Sequence, residues 1–194
     1  MRTLLLAAML AWSALSQAAD LSQPLILVAK PELRDNVYGA SILVVRPLGD
    51  DAHMGFIVNR PTQVSLGELF PGHDHSQKIV SPVYSGGPLG AEAVFALVQR
   101  PDTPGGMSVQ ILPGLYAAID EDTVERIAAT QPDRARFVAG LVAWRPGALE
   151  AEVEQGAWYV LEPDAALAMR NPEGLWEELV SRSHLMQYVR WERP

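Results

Sequence analysis

Cysteine is missing from all 194 residues. That excludes disulfide staples, thiol nucleophiles and cysteine-based zinc centres. Basic residues are scarce as well: 15 Lys and Arg stand against 23 Asp and Glu, for a formal charge of −8. An acidic surface repels nucleic acid and anionic lipid, so neither is an expected partner. Only four histidines are present, which leaves few ligands for a metal and few bases for catalysis. Beyond Leu15, no apolar stretch approaches the roughly 20 residues that cross a bilayer. No internal repeat or low-complexity linker interrupts the chain. Glycine and proline, by contrast, number 15 each and mark a chain with many turns.

The N-terminus carries a compartment signal. Met1-Arg2-Thr3 is a short basic start, and Leu4 to Leu15 is almost unbroken apolar chain. Ser16 and Ala18 then put small residues at the −3 and −1 positions of a signal-peptidase site. The expectation is a signal peptide over residues 1–18, a single domain over 19–194, and a periplasmic or otherwise exported location. Membrane contact would come only through an uncleaved leader. Cleavage after Ala18 leaves 176 residues, with 14 basic against 23 acidic side chains. That length suffices for one domain with a proper core.

Short apolar runs rich in branched residues predict strands over Leu25–Ala29, Ser41–Val45 and Met54–Val58. Arg46–His53 is a turn-rich connector, which suggests a hairpin. Further strands are expected over Ile79–Tyr84, Val94–Val98, Val109–Leu112, Leu115–Ile119, Ala135–Trp144 and Trp158–Leu161. Ser65, with Glu68 three residues on, predicts a capped helical turn ending before Pro71. Asp122 is expected to cap a helix that turns Val124, Ile127 and Ala128 inward. Pro146 opens another helix, and Pro172–Arg182 is a final amphipathic one. Intermixed strands and helices with early hairpins give an α+β fold with a largely antiparallel, strongly bent sheet.

Several groupings invite chemistry. His73-Asp74-His75 has the alternation of a zinc or copper chelate, with His53 as a further ligand, but it sits in a polar loop without a carboxylate at a metalloprotease spacing. Ser85-Gly86-Gly87-Pro88-Leu89-Gly90 has the glycine content of a backbone anion nest. It lacks the Lys-Ser or Lys-Thr of a P-loop, and a tight turn accounts for it equally. No serine occupies a nucleophile elbow. His184, near the end of the last helix, suits a surface role there. Trp144, Trp158 and Trp176 have no interleaved basic residues, so core packing explains them better than a base-stacking platform.

Four segments in order resemble the YqgE/AlgH family (UPF0301, DUF179). They are Leu25–Asp35, Met54–Pro61, Val83–Leu89, and Gly140–Glu150 followed by Glu152 and Trp158. The resemblance implies a bent, bifurcated antiparallel sheet forming a pseudo-barrel with flanking helices. It implies no established enzymatic activity and no cofactor. Some family members carry a transcriptional-regulator label, which suits an acidic chain without a recognition helix poorly. This sequence departs from the family pattern at three polar positions. Arg46-Pro47 replaces a Glu-His pair, Ala148 replaces a Gln, and Gln155-Gly156 stands in place of an Asn. Family members are also generally cytoplasmic and lack a leader.

The functional expectation is a non-enzymatic extracytoplasmic domain that binds a small anionic ligand or a protein partner. Its ligand-binding residues would be Asn59, Arg60, Ser85, Gly86, Gly87 and Trp144, with Arg60 supplying charge-assisted bonds and the glycine turn supplying amides. The same residues also suit purely structural roles, Asn59 and the glycines as turn makers and Arg60 as the partner of an acid. The alternative is a metal-dependent or hydrolytic enzyme using His53, His73, His75 or His184. A transcriptional regulator is the third reading.

Overall fold

The computed structural model describes residues 20–70 and 79–191. The leader expected over residues 1–18, as well as His73 and His75, therefore lies outside the described residues. Ten strands form one sheet: β1 (Leu25–Ala29), β2 (Ile42–Gly49), β3 (Ala52–Ile57), β4 (Pro61–Ser65), β5 (Pro82–Ser85), β6 (Leu89–Gln99), β7 (Ser108–Leu112), β8 (Leu115–Ala118), β9 (Ala135–Trp144) and β10 (Trp158–Leu161). Four helices accompany it: α1 (Leu66–Leu69), α2 (Glu121–Thr130), α3 (Ala148–Glu154) and α4 (Leu175–Trp191).

The strand order is β10-β1-β2-β3-β9-β6-β8-β7, with a β4–β5 ribbon attached through β5 to β9. Every pairing is antiparallel except β5 with β9. The sheet forks at β9. One edge of β9 pairs with β5 at Val138 and Ala139, then with β3 from Val142 to Trp144. Gly140 lies between the two pairings with φ of +76°, a conformation that suits glycine alone among common residues. The curl brings β7 beside β2, where the Arg46 guanidinium donates to the Gln110 carbonyl at 3.0 Å. The fold is thus α+β, with a curled antiparallel sheet forming a half-barrel.

The unbroken apolar runs of β1 and β2 have a simple cause: both of their faces are covered. Ile26, Val28, Ile42 and Val44 point into a core shared with Phe56, Phe95, Leu97, Leu115 and two residues of α4, Leu175 and Leu179. Leu25, Leu27, Leu43 and Val45 face the other way, onto Leu149 of α3 and the rings of Trp144 and Trp158. A third cluster seats Val124, Ile127 and Ala128 of α2 on Ala96, Val98 and Phe137. Trp176 on α4 also donates its indole N–H to the Ala29 carbonyl at 2.8 Å, which ties the helix to β1.

Local details differ from the sequence expectations in informative ways. The Ser65–Glu68 capping box is present, with both reciprocal bonds. The α2 cap is Asp120 rather than Asp122; its carboxylate accepts from the Thr123 N–H and hydroxyl, and also from the Met107 N–H. β2 runs on through Pro47 to Gly49, so the β2–β3 turn is far tighter than the expected connector. β6 begins at Leu89 instead of Val94, because its first five residues are exposed and carry no apolar signal. Pro61–Ser65, which lies outside every predicted strand, forms an exposed edge strand.

Candidate functional site

The structure brings together five of the six expected ligand-binding residues. Asn59 and Arg60 follow β3, and the chain there stays in register with β2: the Val58 N–H donates to the Ile42 carbonyl at 2.9 Å. The Asn59 side chain continues this ladder, accepting from the Ile42 N–H at 2.8 Å and donating to the Ala40 carbonyl at 2.9 Å. An amide carries both a donor and an acceptor, which lets one side chain replace a backbone residue. These partners lie 17 and 19 residues away, so Asn59 clamps a distant loop and does not turn its own backbone.

Arg60 holds the same loop. Its guanidinium donates to the Gly39 carbonyl at 2.6 Å and to the Asn36 carbonyl at 3.4 Å. Burial lowers its pKa, and the nearby Asp35 charge works in the opposite direction. No carboxylate among the described residues is hydrogen-bonded to it. The Arg60 carbonyl in turn accepts from the Ser85 N–H at 2.8 Å, and Ser85 is exposed.

The next two residues form a close backbone crossing. The Gly86 carbonyl accepts from the Ile57 N–H, and the Gly86 N–H donates to the Ala139 carbonyl, both at 2.8 Å. A Cβ on Gly86 would run into the Gly140 carbonyl oxygen, and one on Gly87 would meet the Leu141 backbone. β5 and β9 therefore approach closely at the fork only because side chains are absent on both sides. The Gly86 amide, expected to face an anion, is satisfied within the sheet.

Trp144 stands apart from these five. It pairs with His53 across β3 and β9 and is 7% exposed. Its indole N–H reaches Glu152 Oε2 at 3.1 Å, and the Trp158 N–H reaches the same oxygen at 2.8 Å. One carboxylate thus joins two buried rings beneath α3. Tyr38 meets Trp158 edge-on at 6.3 Å. Its phenol pKa is raised, first by burial and then by the charges of Glu152 and Asp35.

The described histidines occupy separate places. His53 is 2% exposed; Nε2 lies 2.8 Å from the Leu21 carbonyl, so it carries the proton, and Nδ1 is buried without a partner. His184 on α4 packs its ring against Tyr159, centroids 5.5 Å apart. Among the described residues, no three His, Asp or Glu side chains are grouped to hold a metal ion.

Arg136 was visible in the sequence only as a lone charge in an apolar strand, and it was not singled out for a role. It is 8% exposed, yet among the described residues its guanidinium is bonded to no carboxylate. It donates to the Val58 carbonyl and, at 2.7 Å, to the Arg170 carbonyl, and it lies 4.2 Å from the centre of the Tyr84 ring. Burial lowers its pKa, against a favourable contribution from Tyr84. Together with Asn59 and Arg60, it shows that the strongest donors around β3 and β9 spend their hydrogen bonds on main-chain carbonyls.

Comparison with known proteins gives a consistent neighbourhood. A family model described as DUF179, AlgH-like, matches residues 26–187. A UPF0301 protein of Thermobifida fusca is 34% identical over 169 residues, covering 81% of this chain and 84% of the relative. Another from Chlorobium luteolum is 32% identical over 159 residues, covering 80% and 82%. The solution structure of the AlgH protein from Pseudomonas aeruginosa superposes with a TM-score of 0.70 at 23% identity, covering 92% of this chain and 97% of that one. A crystal structure of a Corynebacterium diphtheriae protein gives 0.68 at 19% identity, covering 83% and 86%. At these identities the two structures speak to the fold.

Proposed function

We propose a binding role for this chain, which belongs to the AlgH-like family, DUF179: a non-enzymatic domain, working outside the cytoplasm, that takes up a small anion or a partner protein presenting one. The reading rests chiefly on Arg60. Its guanidinium is partly buried, anchored by two carbonyls and without a hydrogen-bonded carboxylate among the described residues. A guanidinium has five N–H donors, so anchoring leaves others for an anion, and the exposed Ser85 is tied to the Arg60 backbone by donating its own N–H to the Arg60 carbonyl. Asn59, Gly86 and Gly87 then serve as the frame that fixes this surface, and Trp144 serves the core beneath α3. The extracytoplasmic part of the reading rests on the leader pattern of residues 1–18.

Two measurements test the proposal. In a thermal-shift series with phosphate, sulfate and citrate, a bound anion raises Tm as its concentration passes Kd. Arg60→Gln is expected to remove that rise and Arg60→Lys to keep part of it, since the ammonium retains charge without the fork. A rise that is unchanged in Arg60→Gln places the site elsewhere. N-terminal sequencing of protein from fractionated cells addresses the compartment: a mature chain beginning at Ala19 in the exported fraction is expected, and Met1-bearing protein in the cytosol would overturn it.

A further inference from the structure

A second arginine site lies where β6 ends. There the Arg100 N–H donates to the Gly114 carbonyl in the β7–β8 turn at 3.0 Å. Beside this turn opens a cleft of about 560 Å³, lined by Arg100, Arg134, Pro101, Pro113 and Ala165 among others, with no acidic residue in its wall. In a chain of formal charge −8, this cleft gathers two guanidinium groups, one of them bridged to Asp102 at its rim.

The hydrogen bonding of Arg100 is incomplete in a specific way. Its Nε–H is buried and has no partner. Its Nη2 reaches Asp102 at 3.3 Å, but the Asp102 side chain is 73% exposed, against 21% for Arg100. Such an exposed bridge contributes little, whereas a buried unpaired donor is costly and asks for an explanation. Nε and Nη2 form one edge of the guanidinium. An oxyanion that takes the place of Asp102 accepts from Nη2, and it reaches the buried Nε–H only when the guanidinium turns toward the cleft. Arg134, exposed on the turn Pro132–Arg134, adds the second cation. The prolines offer no N–H, and with Ala165 they supply the apolar part of a wall that is otherwise polar.

We infer that this cleft binds a small organic oxyanion, a carboxylate or phosphate carried on an apolar body, held by Arg100 and neutralised further by Arg134. The site shares no residue with the Arg60 surface and stands or falls separately from it.

The test uses the full chain at physiological salt and four probes in calorimetric and thermal-shift titrations. The probes are 3-phenylpropionate, phenyl phosphate, inorganic phosphate (head group alone) and benzyl alcohol (body alone). At least one of the two organic anions is expected to bind, and whichever binds more tightly tells carboxylate from phosphate. Inorganic phosphate should bind about tenfold more weakly and benzyl alcohol not at all, because apolar contact and charge act together. Arg100→Gln and Arg134→Gln should each weaken binding at least about tenfold, the scale of a lost charge-assisted pair. Arg100→Lys should recover only part of it. Arg134 is exposed, so its variant keeps the test valid if Arg100→Gln proves unstable. Failure of both organic anions to bind overturns the inference. So does affinity that survives the double variant.

Discussion

Replacing Glu152 by alanine removes the acceptor that two buried indole groups share. The Trp158 N–H lies 2.8 Å and the Trp144 N–H 3.1 Å from one Glu152 oxygen, and the rings are 4% and 7% exposed. A hydrogen bond to a charged acceptor is worth about 1.5–3 kcal/mol, and orphaning a buried donor costs a similar amount. Glu152 itself is partly exposed, so water replaces some of the loss. A total of about 2–4 kcal/mol is expected for Glu152→Ala. Glu152→Gln keeps a neutral acceptor and should lose about half of that. For a domain of this size, the alanine variant should melt roughly 4–16 °C lower. Urea unfolding followed by circular dichroism reads the change as a lower midpoint at constant m-value. A second readout is specific to this geometry: without the Glu152 charge, the Tyr38 phenol should titrate closer to its ordinary range in a spectrophotometric pH scan. An alanine variant within 0.5 kcal/mol of wild type, with the Tyr38 titration unmoved, would refute the bridging role.

The fork at β9 makes a second prediction. Gly140→Ala places a Cβ against the Gly87 carbonyl oxygen at a φ of +76° and should cost about 3 kcal/mol or more. Gly174→Ala, at a φ of +68° but with nothing nearby, should cost only about 1 kcal/mol; equal Tm losses would show that the crossing does not constrain the sheet. Acid should also weaken the fold in a defined window. The Glu68 carboxyl is held low by the Ser65 N–H and hydroxyl, and the Asp120 carboxyl chiefly by the Thr123 hydroxyl. A carboxyl depressed in the folded state stabilises fully above the ordinary value near pH 4 and loses that contribution as pH falls further. The urea midpoint should therefore drop as pH falls from about 5 toward about 2, and drop less in a Glu68→Gln, Asp120→Asn variant. Identical pH profiles for the two proteins would count against those caps.

Much of this architecture is legible in the sequence where burial is two-sided. β1, β2, β9 and β10 read directly as apolar runs because helices or the barrel interior cover both faces. The Ser65–Glu68 box reads directly too, because its spacing is its geometry. What escapes is whatever depends on distant partners. The exposed strand Pro61–Ser65 and the first half of β6 carry no hydrophobic pattern, since their pairing comes from β5 and β9. The cap of α2 falls on Asp120 because its carboxylate also takes the Met107 N–H, a contact 13 residues away. The Asn59, Arg60, Ser85, Gly86 and Gly87 set was found through family motifs and does converge. Trp144 does not join it, because β9 passes it to the next pairing along the fork. Arg136 went unassigned because its partners, Val58 and Arg170, are main-chain groups that leave no mark in composition.

The link between Arg46 and the Gln110 carbonyl bears on how this protein keeps its own company. An outermost strand with bare carbonyls invites a second chain to add itself, and curling alone does not remove the invitation when the half-barrel stops short of closure. Here a positive side chain, Arg46 of β2, occupies one such acceptor on β7. The gap is closed by a charged latch in place of a strand, so the sheet can remain unfinished without offering that carbonyl to a neighbour.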